Sequence, residues 1–206
     1  MRKQINIFNK FNFAIHVLCG KMGIRVTSKF TEVTNGHYLF RMPIPDVAER
    51  NTPIGINENE LIEKDVDFII RPDTAKDIEK NIPKSQTLPV LENVWLVKSE
   101  KEKTATFKMT DYDTEKKILV NLPDGRWPKT ESIWPKEEAI AEVVFNVDYM
   151  IKLFQQFAKS DGRFAKTVRL KVYGKEKPML LESTKDEEST KDEGQKPKAL
   201  LMPCKD

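Results

Sequence analysis

The sequence predicts an α+β fold assembled from three strand-helix-three-strand units. Three observations carry this expectation. The 206 residues are 39% hydrophobic and include 11 Phe and 3 Trp, enough apolar material for the core of one large or two small domains. Breaks at residues 45–66 and 123–139 divide the chain into three parts of similar size. Each part then follows one order: a short apolar run, a segment with apolar residues at helical spacing, and further short runs that read as strands.

In the first part, INIF (5–8) reads as a strand and FNFAIHVLCG (11–20) as a helix. IRVTSKFTEVTNGHYLFRMPI (24–44) has room for two or three short strands, so this unit is taken as a degenerate copy. Pro45, Pro53 and Gly55 interrupt any regular period, and residues 45–66 read as a long linker. In the second part DFIIRP (67–72) leads into TAKDIEKNI (74–82), where Ala75, Ile78 and Ile82 share one helix face. LPVLENVWLVK, TATFKMTDYD and EKKILVNL supply its three strands. Pro123, Pro128 and Pro135 then exclude both a helix and a central strand from the second break.

The third part opens on VVFN (143–146), a strand entering a helix, with Asn146 as N-cap. Met150, Leu153, Phe154 and Phe157 form the expected buried face of that helix. Strands TVRLKVYG, KPMLLES and KALLMP follow. STKDEESTKDEG (183–194) repeats STKDE without an apolar residue, cannot repay its ordering entropy by burial, and reads as a solvated insert. The expected domains are 1–135, holding units 1–66 and 67–135, and 136–206, a half domain holding the third unit.

Charge decides little. There are 35 Lys and Arg against 32 Asp and Glu, and the resulting +3 argues for nucleic acid only if the cations gather on one face. Cys19 and Cys204 stand without CxxC or HxxxH spacing, so no metal site is expected and a reduced cytoplasmic setting is the default. The N-terminal apolar run is interrupted by Asn9, Lys10, Asn12 and His16, which fits neither a signal peptide nor a membrane span, and no membrane partner is expected. His37 lacks a nucleophile pattern, His16 sits between Ile15 and Val17 as a boundary histidine would, and the carboxylates are scattered in loops. No phosphate-cradling glycine loop is present either, so neither catalysis nor a cofactor is expected.

Four local sequences resemble those of the bacterial DNA sliding clamp, the beta subunit of the replicative DNA polymerase III. TNGHYL (Thr34 to Leu39) is similar to the family's TDGHRL, with Asn35 for its Asp and Tyr38 for its Arg. DGRWPKTESIWP (Asp124 to Pro135) resembles DGRFPDYxxxxP with its spacing intact. FNVDYMIKLFQQF, from Phe145, resembles FNxxYLLDxL, and LLMP (Leu200 to Pro203) resembles the closing MP of the family's tail, although Cys204, Lys205 and Asp206 replace its last residues. The resemblance implies a DNA-clamp fold with helices on one face of antiparallel sheets. It also implies a shortened chain, since family members carry six such units and this sequence shows three.

A clamp performs no reaction. What the resemblance implies is a homo-oligomeric processivity factor that encircles double-stranded DNA independently of its sequence and holds phosphates loosely on inner cations. Here the candidates are Lys10, Lys21, Lys76, Lys80, Lys152 and Lys159 in the three helices, together with Arg126. A solvated helix face is the plainer reading, and Asp73, Asp77 and Glu79 support it around Lys76 and Lys80. The second implied site is a hydrophobic pocket for peptides of DNA polymerases and clamp loaders. Its wall would take Thr34, Gly36, His37, Tyr38 and Leu39, Pro128 and Ile133, and Leu200, Leu201 and Met202. Without the resemblance, TNGH is a turn and LLMP an edge strand. Arg126 with Trp127 has the composition of a stacking platform for single strands, but packing of the proline-fixed segment onto a sheet is the expected role. The alternative function is a clamp-like adaptor or decoy that binds such peptides without encircling DNA. A small metal-dependent hydrolase is disfavoured because no carboxylates cluster.

Overall fold

In the computed structural model, residues 7–45, 66–83, 88–98, 104–159, 167–184 and 198–204 are described. The chain divides into two units, Met1–Trp134 and Pro135–Asp206. The first unit opens on β1 (Ile7–Asn9), which passes directly into α1 (Lys10–Ala14). The entry is fixed reciprocally: Asn12 N donates to Asn9 Oδ1 at 3.2 Å and Asn9 N to Asn12 Oδ1 at 2.9 Å, satisfying two amides a helix start leaves unpaired. The helix expected over 11–20 continues as a 3-10 turn at Ile15–Leu18, and Lys21 falls in the turn beyond it, outside any helix.

Strands β2 (Ile24–Thr27), β3 (Phe30–Thr34) and β4 (Leu39–Pro43) follow, so the first repeat has all its strands and is reduced in its helix. The second repeat contributes β5 (Asp67–Ile70), α2 (Pro72–Asn81), β6 (Asn93–Lys98), β7 (Thr104–Thr110) and β8 (Glu115–Asn121). Pro72 sits at the start of α2, where its fixed φ suits a helix and its missing N–H costs nothing. The expected linker falls largely on residues 46–65, which lie outside those described.

The repeats do not each keep their own first strand. One sheet has the order β1-β6-β7-β8 and the other β4-β3-β2-β5. β1 therefore joins the strands of the second repeat, with Ile7 opposite Trp95, while β5 joins those of the first, with Ile24 opposite Ile70. Both pairings are antiparallel. α1 packs on α2, and one core unites the two halves. Phe8 and Phe13 come from the first repeat and Phe107 from the second, all fully buried, with ring centroids 5.4 to 6.2 Å apart.

The second unit holds one repeat: α3 (Val147–Ala158), β9 (Val168–Lys171), β10 (Met179–Ser183) and β11 (Lys198–Leu201), in a sheet of order β11-β10-β9. Asn146 caps α3 as expected, accepting from Tyr149 N at 3.2 Å. Met150 and Phe157 of α3 are buried with Met179, Leu181 and Leu201 of the sheet, and Leu153 lies partly buried beside them. Two expectations need correction. Residues 143–146 form no strand, and Phe154 is 44% exposed, outside the buried face to which its spacing assigns it. The insert at 183–194 falls, beyond Thr184, outside the described residues. No described helix is long and apolar enough to cross a membrane.

Candidate functional site

The β3–β4 turn is built by its own side chains. Thr34 Oγ1 donates to Tyr38 O at 2.6 Å and accepts from Gly36 N at 3.2 Å. Asn35 Oδ1 accepts from His37 N and Tyr38 N at 3.0 and 3.2 Å, a role for which an Asp carboxylate has an equivalent oxygen. Gly36 adopts φ +90°, and a Cβ there would meet nothing within 4 Å, so glycine serves the backbone conformation and not a close approach. Tyr38 Oη donates to Leu18 O at 2.5 Å, tying the turn to the segment after α1. Thr34 is thereby buried as a turn-closing group, Leu39 is half-buried, and Gly36, His37 and Tyr38 are exposed.

A buried carboxylate fastens the tryptophan-rich segment to the same pair of strands. Glu32, on β3, has no solvent exposure. Its Oε1 accepts from Trp127 Nε1 and Thr130 Oγ1, both at 2.7 Å, and its Oε2 from Arg41 Nε at 2.9 Å and Nη2 at 2.6 Å. Arg25 Nη1 lies 3.6 Å from Oε1. Arg41 also reaches Glu131 at 2.7 Å and stacks 3.7 Å over Phe30 and 4.9 Å from Trp134. A buried carboxylate is tolerable only with such pairing. Burial opposes the charge of Arg41, but the hydrogen bonds to Glu32 and Glu131 outweigh it and hold its pKa above the ordinary guanidinium value.

Trp127 thus packs the segment onto the sheet. Pro128 and Ile133 are left exposed on it, around a short 3-10 turn at Thr130–Ser132. Neither Glu32, Arg41 nor Arg25 was among the sequence candidates. The available signal was one carboxylate in the apolar alternation of FTEVT, on a strand whose neighbours carry two arginines.

The tail residues belong to the second unit. Leu201, opposite Met179, is a buried core residue there, whereas Leu200 and Met202 are exposed. Of the cationic candidates, Lys10 is half-buried, while Lys21, Lys76, Lys80, Arg126, Lys152 and Lys159 are exposed. Lys76 and Lys80 project from α2 away from buried Ala75, Ile78 and Ile82. Lys80 also borders a cleft of about 270 Å³ between the end of α2 and the β7–β8 turn, with Asp111 and Lys116. Hydrogen bonds from the backbone and side chain of Thr114 hold the Asp111 carboxyl below its ordinary pKa. His16 Nδ1 lies 3.2 Å from both Phe13 O and Glu79 Oε2, joining the 3-10 turn to α2. No group of three or more His, Cys, Asp or Glu is placed to hold a metal ion among the described residues.

No protein-family profile matches the chain, and no curated protein does. Solved structures do. The DNA polymerase III beta chain of Streptococcus pneumoniae superposes over 100% of this chain and 50% of its own, with a TM-score of 0.63 at 12% identity. The DNA polymerase sliding clamp of Pseudomonas aeruginosa gives 0.61 at 11% identity over 98% and 52%. The Helicobacter pylori beta clamp bound to a DNA ligase peptide gives 0.51 at 13% identity over 96% and 49%. The chain has the fold of bacterial sliding clamps and spans about half the length of these.

Proposed function

We propose that the chain works as a shortened DNA sliding clamp, a non-enzymatic processivity factor that tracks duplex DNA and recruits partners through a hydrophobic peptide site. One observation carries the peptide site: the Glu32 network holds Trp127 and Thr130 against β3 and β4, the strands joined by the Thr34–Leu39 turn. Two motifs separated by some ninety residues of sequence thereby share one sheet. They offer Leu39, Tyr38, Pro128 and Ile133 for apolar contact.

The test is binding of a clamp-interacting peptide, such as one from a DNA ligase or polymerase. Leu39→Ala and Ile133→Ala each weaken binding about tenfold, the ~1–2 kcal/mol expected for truncating an apolar anchor, with circular dichroism unchanged. Wild-type affinity in both variants would reject the site.

The adaptor reading has its own support: among the described residues the second unit holds a single repeat. Retention on nicked circular DNA with release on linearisation supports encirclement; peptide binding without such retention supports the adaptor.

A further inference from the structure

The helix α3 carries two apolar stripes where one sheet covers only one. At 100° per residue, Met150, Leu153 and Phe157 fall within one narrow sector, which is the one packed on β9, β10 and β11. Val147, Ile151, Phe154 and Ala158 fall in the adjoining sector at the i, i+4, i+7, i+11 spacing of a helix-packing seam. Val147 is 63%, Ile151 47% and Phe154 44% exposed. Asp148, Lys152, Gln155 and Lys159 occupy the remaining, polar side.

The first unit shows what such a stripe faces. Aligning the N-caps Arg71 and Asn146 places Ala75, Ile78 and Ile82 on Met150, Leu153 and Phe157, all buried except the partly buried Leu153. The same alignment places Glu79 on Phe154. Glu79 meets His16 of the other repeat, so the position of Phe154 faces a neighbouring repeat there, whereas Lys76, at the position of Ile151, is exposed. The alignment also sets β5 (Asp67–Ile70) on residues 142–145, and β2 or β6 on β9. β2 and β6 are interior strands, each flanked by the first strand of the other repeat, whereas β9 is an edge among the described strands. Residues 142–145 are not in a strand, and Val144 O accepts from Cys204 N at 2.8 Å.

We propose that two copies of the chain associate through their second units: α3 packs on α3 along the Val147, Ile151, Phe154 and Ala158 stripe, and residues 142–145 of each copy pair with β9 of the other. The occupant is a second copy because the exchange in the first unit is reciprocal, and the reciprocal partner of an apolar seam is that same seam on an identical chain. Each second unit then completes the other into a two-repeat domain with one core, no open β9 edge and a covered apolar stripe. The inference rests on the fold alone and needs neither DNA nor peptide.

Sedimentation equilibrium of the full chain tests it. The wild type is expected to dimerise, and the Ile151→Asp/Phe154→Asp variant, which leaves Met150, Leu153 and Phe157 in place, to dimerise at least ~100-fold more weakly. Hydrogen exchange on the wild type needs no variant to fold: amides of β9 and of residues 142–145 gain protection as the chain is concentrated. A wild-type monomer at every concentration, or a dimer that protects other segments and survives the double substitution, overturns the proposal. Peptide binding by the monomeric variant, measured alongside, shows separately whether the clamp reading stands.

Discussion

Glu32 joins three separate parts of the first unit: its own strand β3, β4 and the segment after β8. Its carboxylate accepts from a guanidinium, an indole and a hydroxyl, and these donors come from β4 and from the segment after β8. Such a group has no water to fall back on, so its value lies in satisfying every oxygen at once. In Glu32→Gln the amide nitrogen turns a donor toward either Arg41 or the Trp127 and Thr130 pair, and the negative charge between Arg25 and Arg41 is lost. The expected cost is about 3 kcal/mol, read as a lower urea midpoint, with a change in tryptophan fluorescence as Trp127 is released. An unchanged midpoint would mean that packing of the 127–134 segment, and not this network, holds it in place.

Strand exchange is the element-level device that makes two small repeats one body, and Gly23 is the residue that permits it. Gly23 precedes β2 with φ +87°, and a Cβ there would stand 2.4 Å from Ile70 O, at the end of β5. A side chain at this point collides with the backbone of the exchanged strand and strains its own. Gly23→Ala is expected to lower stability by about 3 kcal/mol in urea unfolding. Gly36→Ala, with a similar φ of +90° and open space around it, is expected to cost only about 1 kcal/mol. Equal costs would show that the approach of β5 is not tight. VVFN forms no strand in the second unit, whereas β5, its counterpart in the first unit, pairs with the other repeat's sheet.

Across the protein as a whole, the exposed lysines either hold DNA phosphates or form a solvated face. Lys76 and Lys80 lie on the polar side of α2, and Lys152 and Lys159 on that of α3. With a formal net charge of +3, binding must come from the placement of these cations. If Lys76 and Lys80 each neutralise a phosphate, Lys76→Glu/Lys80→Glu weakens duplex binding for all sequences alike. It also lowers the slope of log affinity against log salt by about 2, since each contact contributes about 0.9. An unchanged slope leaves them as a solvated face.

Periodicity and turn chemistry made much of the chain legible in advance. The order of most strands and helices, the N-cap at Asn146 and the α2 core face of Ala75, Ile78 and Ile82 follow from local patterns, because each is set by neighbours within a few residues. The TNGHYL turn was legible for the same reason. Pairing across distance was not. Nothing in FTEVT announces that Glu32 will be sealed by residues beyond Asn121, and nothing in VVFN or Phe154 says that the surface they suit belongs to another repeat. A hydrophobic period states that a residue will be buried against something, while the partner is chosen by how whole strands and helices close on one another. For this protein that closure is the reciprocal exchange of first strands, which exists only between two repeats and cannot be read from either one.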